Sequence, residues 1–147
     1  MQAYRHVLVA LDFSESATFV CEHGKDLADR YGADLTLVHV VESLPVVDST
    51  YGPVMPFEID LTDQMLDAAR SRMDQAGQAF GVPEDRRLVE LGSPKTEIVR
   101  IAQERAIDLI VVGSHGRHGV KLLLGSTATS VIHHARCDVL AVRLKDR

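Results

Sequence analysis

At 147 residues the chain has room for one domain spanning residues 1–147, since two halves would each bury too little apolar surface to fold alone. Hydrophobic residues make up 46% and charged residues 25%, which excludes a disordered chain. The net charge of −5 argues against nucleic-acid binding, and no run of about 18 apolar residues is present to span a membrane.

The segment Met1 to Asp12 carries charge and leads directly into a strand-like run, so no signal peptide is expected. Cys21 and Cys137 stand alone without CxxC spacing, which suits reduced thiols in a cytoplasmic protein.

In chain order, strand-like and helix-like segments alternate. His6 to Leu11 is a Val- and Leu-rich β run. Phe19, Val20, Leu27 and Ala28 then fall on one helical face, and Gly32 ends that helix. Leu35 to Val41 is the second β run. The stretch from Glu42 to about Glu58 holds Pro45, Pro53, Pro56 and Gly52 and reads as a long loop. Leu61, Met65, Leu66, Ala69, Met73 and Ala76 form a helical stripe closed by Gly81-Val82-Pro83. Arg87 to Leu91 is a short strand, and Ser93-Pro94 starts a helix with Ile98, Ile101 and Ala102 on its apolar face. Leu109 to Val112, Ser126 to Ala135 and Val139 to Leu144 complete the pattern as strand, helix and strand.

The β runs are apolar on both faces, as in a parallel sheet covered by helices. Right-handed crossovers then favour an α/β, five-stranded parallel, doubly wound (Rossmann-like) sheet of order 3-2-1-4-5, with two helices on each face.

In such a sheet ligands bind at the carboxyl ends of strands, where the strand order reverses. After the fourth strand comes Gly113-Ser114-His115-Gly116-Arg117-His118-Gly119, and later Gly125-Ser126-Thr127. Glycines allow a backbone to approach a polyphosphate without Cβ interference. Ser126 and Thr127 stand at a helix N-terminus, where free N–H groups favour an anion. Asp12, after the first strand, is placed to meet a ribose hydroxyl or a metal ion.

Bland readings of the same residues exist. Gly113 and Gly116 could mark a positive-φ turn, Ser126 and Thr127 could be plain N-caps, and Asp12 could simply start a helix with Ser14 and Ser16. His115 and His118 sit in a glycine-rich segment without a third ligand nearby, so no zinc site is expected. His133 and His134 point in different directions on a helix and read as solvated surface. No G-x-S-x-G elbow and no G-x4-G-K-[ST] loop is present, so the chain is not expected to be an enzyme.

Val9-Ala10-Leu11-Asp12-Phe13-Ser14-Glu15, Leu37-Val38-His39-Val40, Gly113-Ser114-His115-Gly116 and Cys137-Asp138-Val139-Leu140-Ala141-Val142 together resemble the universal stress proteins over essentially the whole chain. In nucleotide-binding members, G-x2-G-x9-G-[ST] holds the triphosphate, the aspartate after strand one meets the ribose, and backbone near the end of strand two holds adenine. The resemblance therefore implies ATP, with Mg²⁺ carried by its phosphates, bound at Asp12, Val40, Gly113, Gly116, Gly125 and Ser126, with Thr127 beside them. It also implies a homodimer paired through the C-terminal strand, an apolar edge guarded only by Arg143 and Lys145. One departure stands out: eight residues, not nine, separate Gly116 from Gly125. That shift moves backbone by up to about 3.5 Å, and a branch not known for ATP binding has a similarly short loop. The alternative is thus a nucleotide-free homodimer acting through protein contacts.

Overall fold

Hydrophobic alternation along the strands sets both faces of the sheet. Val7, Val9 and Leu11 turn to one side, where they pack with Val20, Cys21, Ala28 and Met73, while Leu8 turns to the other and meets Ile98, Ile101, Ala128 and Val131. Val7, Leu8 and Val9 have no exposed surface at all. Each such side chain contributes about 1.5–3 kcal/mol through burial, enough to fix which residue faces which layer.

The computed structural model describes residues 3–42, 56–114 and 124–144. Among these the order is β1 (His6–Ala10), α1 (Ala17–Tyr31), β2 (Asp34–Glu42), α2 (Pro56–Phe80), a 3-10 turn (Glu84–Arg86), β3 (Arg87–Gly92), α3 (Pro94–Glu104), β4 (Leu109–Gly113), α4 (Ser126–His134) and β5 (Asp138–Val142). The strands form one sheet of order β3-β2-β1-β4-β5, and every neighbouring pair is parallel. α1 and α2 cover the Val7/Val9 face; α3 and α4 cover the Leu8 face. The doubly wound arrangement read from the sequence is the one observed.

Two glycines explain local features. Gly32 has φ +63 and closes α1, its N–H and that of Ala33 bonding back to Asp29 and Ala28. Gly24 lies inside α1 where a Cβ would come within 2.2 Å of Val9 Cγ2, so the helix approaches β1 more closely than any alanine permits.

Several boundaries differ from the sequence reading by a residue or two, and three of the differences have a local physical cause. α2 begins at Pro56, inside the stretch expected to be loop as far as Glu58. Proline breaks a helix interior but suits its first position, where its missing N–H has no partner to lose. The remainder of that expected loop, 43–55, lies outside the described residues. β1 ends at Ala10, although Leu11 still donates its N–H to Val38 at 2.8 Å. β5 ends at Val142 instead of Leu144, because the Leu144 N–H turns to the Ser114 hydroxyl at 3.2 Å.

Cys21 and Cys137 are free thiols, and burial pushes the Cys21 thiol up to about 12. Among the described residues no helix is long and apolar enough to cross a membrane.

Candidate functional site

Strand order reverses between β1 and β4, and the carboxyl ends of these strands open into a cleft of about 820 Å³. Asp12, Val40, Gly113, Gly125, Ser126 and Thr127 all line it. Gly116, His115 and His118 lie outside the described residues.

Asp12 leaves the end of β1 half-buried, and its Oδ1 accepts the Ser14 N–H at 2.9 Å. The carboxylate therefore builds its own turn while facing the cleft. The helix-start reading of Asp12 and the ligand reading are compatible. Val40 is buried near the end of β2, with its side chain among the apolar residues of the α3/α4 face.

Gly113 is the last residue of β4, paired with Val142, and is not among the positive-φ residues. The turn reading fails there. Gly113 nonetheless lines the cleft.

At the start of α4, the N-cap is Gly125 (φ −62, ψ 158), and Ser126 and Thr127 are the first helical residues. The N-cap reading of these two hydroxyl residues is thereby corrected. Gly125 gives its N–H to the Ser114 carbonyl at 2.6 Å and accepts the Thr129 N–H at 3.0 Å. Its own N–H is thus engaged within the chain. The N–H groups of Ser126 and Thr127, one turn too early for an intrahelical acceptor, remain directed at the helix mouth. Ser114 is buried and ties the end of β4 to both α4 and β5, since its N–H also bonds the Val142 carbonyl at 2.8 Å and its hydroxyl accepts from the Leu144 N–H.

Among the cleft residues not proposed for the site from the sequence are Phe13, His39 and Arg72. Phe13 has φ +56, a conformation that costs a bulky residue about 1–3 kcal/mol and recurs at functional sites. Its ring lies 4.2 Å from the His39 ring, centroid to centroid, at 34°. His39 Nδ1 is 2.6 Å from the Leu11 carbonyl, and since a carbonyl can only accept, that nitrogen carries the proton. The Arg72 guanidinium stands 5.9 Å from the Phe13 centroid. The one sequence signal was periodicity: Arg72 follows Met65, Ala68 and Ala69 on a helical face. Among the described residues no group of three His, Cys, Asp or Glu side chains gathers to hold a metal ion.

The profile of the Universal stress protein family matches residues 3–143. This chain belongs to the universal stress protein family. Universal stress protein A homolog 2 of Coxiella burnetii is 40% identical over 146 residues, covering 99% of each chain. Universal stress protein UspA from Lactobacillus plantarum superposes with a TM-score of 0.82 at 28% identity, over 97% of this chain and 100% of that one. A universal stress protein solved in complex with cAMP superposes with a TM-score of 0.64 at 25% identity, over 97% of this chain and 98% of that one.

Proposed function

We propose that this universal stress protein binds ATP in the cleft between β1 and β4 and acts by binding rather than by turnover. The observation that carries the reading is the gathering of Asp12, Val40, Gly113, Gly125, Ser126 and Thr127, far apart in sequence, around one cleft at the strand-order reversal. In this reading the α4 N-terminus receives the phosphates through the Ser126 and Thr127 N–H groups. Asp12 takes the ribose and the β2 backbone at Val40 takes the base. Mg²⁺ travels on the phosphates, with Asp12 the one carboxylate at the end of β1. The relative in complex with cAMP supports an adenine nucleotide as the ligand class. The setting is cytoplasmic, in keeping with the two free thiols.

A second reading, a nucleotide-free homodimer, is favoured by one observation. The Gly125 N–H is already bonded to Ser114, which removes a donor the phosphates would otherwise use. Both readings share a dimer paired through β5, one of the two edge strands of the sheet. Isothermal titration with Mg-ATP separates them: saturable binding supports the first, and no heat at millimolar ATP leaves the second.

A further inference from the structure

The wall of the cleft opposite the α4 N-terminus belongs to α2. Met65, Ala68, Ala69 and Arg72 line the cleft at i, i+3, i+4 and i+7, so one face of α2 looks into it. α2 lies on the α1 side of the sheet and α4 on the other, which places Arg72 away from the phosphate-receiving end. Beside that face stands Phe13, at positive φ, packed on His39 and within 5.9 Å of the Arg72 guanidinium.

Arg72 is exposed, and among the described residues no carboxylate pairs with it; its guanidinium is held over the Phe13 ring. It is also the single Arg or Lys among the described residues that line the cleft. A guanidinium is planar, delocalised and weakly hydrated, so it stacks on flat rings as an ammonium cannot. Ala68 and Ala69, with small side chains, leave room beside it for such a ring.

We infer that Arg72, supported by Phe13, is a base-recognition residue that stacks on the purine of the bound nucleotide. The inference rests on the nucleotide reading above and adds the source of preference for a purine, whose larger face offers more stacking area than a pyrimidine.

The test titrates Mg-ATP, adenosine and inorganic tripolyphosphate into the wild-type chain, Arg72→Ala and Arg72→Lys. Arg72→Ala is expected to weaken ATP and adenosine by the same factor, roughly two- to thirtyfold as for a cation–π contact, and to leave tripolyphosphate unchanged. Arg72→Lys should fail to restore the loss. Unaltered ATP affinity in Arg72→Ala overturns the inference alone. So does restoration by lysine with a parallel loss of tripolyphosphate binding, which makes Arg72 a phosphate ligand. A wild-type chain that binds neither ATP nor adenosine overturns the nucleotide reading itself. Arg72 is exposed, so the variants should melt with the wild type.

Discussion

Gly125 donates its backbone N–H to the carbonyl of Ser114 at 2.6 Å, tying the start of α4 to the end of β4. The two ends of the glycine-rich segment are fixed relative to each other by this bond. The eight-residue spacing between Gly116 and Gly125 therefore does not set where α4 begins. It also shifts the burden of anion binding from Gly125 to Ser126 and Thr127, whose N–H groups lie one and two residues further into the helix.

Gly125→Val is predicted to weaken ATP binding at least tenfold, or about 1.4 kcal/mol. The backbone at φ −62, ψ 158 is open to any residue, and β-branched residues favour it. Valine caps a helix less well than glycine, so the apo protein should lose no more than about 1 kcal/mol while titration shows the loss of affinity. A fall of several kcal/mol in apo stability would make Gly125 a packing glycine instead.

Asp12 has two roles that different substitutions separate. Asp12→Ala leaves the Ser14 N–H without its acceptor and should cost the apo protein about 1 kcal/mol. Asp12→Asn keeps an oxygen for that bond and should leave the apo melting temperature unchanged. Both are expected to lower ATP affinity. Wild-type affinity in Asp12→Asn would show that the charge takes no part in binding.

The direction of each backbone group along β5 makes the edge testable. Ser114 donates to the Val142 carbonyl, so Val142 faces β4, and its neighbour Ala141 turns its N–H and C=O to the open edge. Leu140 on the same strand is 37% exposed. Light scattering should give about twice the 16.2 kDa chain mass for the wild type. Ala141→Pro removes an edge donor without touching the β4 ladder and should shift the chain toward monomer. A wild-type monomer at tens of micromolar sinks the proposed dimer, and a dimer indifferent to the proline places its interface elsewhere.

His6 gives the fold a pH dependence. Its Nε2 lies 2.6 Å from the hydroxyl of the fully buried Thr36. Burial holds the imidazole below its ordinary value of 6.5; nearby Arg86 lowers it further, against the opposing pull of Asp34. The unfolded chain then takes up the proton first, so this contribution is complete above the ordinary value and lost as pH falls through it. Urea midpoints should decline from roughly pH 7.5 to 5.5, and His6→Gln should flatten that decline. Parallel slopes for variant and wild type would assign the dependence to other groups.

The elements were legible because their signals are local. Val7, Leu8 and Val9 announce a strand buried on both faces, Gly32 announces a helix end, and Ser93-Pro94 announces a helix start. Pro56 misled because the same residue both ends and begins helices, and only its position within the element decides which. Gly24 gave no sign of its role, since the Val9 methyl that requires it lies on another element.

The sequence by itself determined the alternating α/β fold, its strand order and the family. It also marked the glycines and hydroxyl residues that line the cleft, since those choices follow from apolar periodicity and short motifs. The tertiary structure alone decided that the Gly125 N–H is spent on Ser114 and that Phe13, His39 and Arg72 meet at one wall. These facts depend on distances between residues of different elements. Packing fixes such distances to a fraction of an ångström, and no local pattern along the chain encodes them.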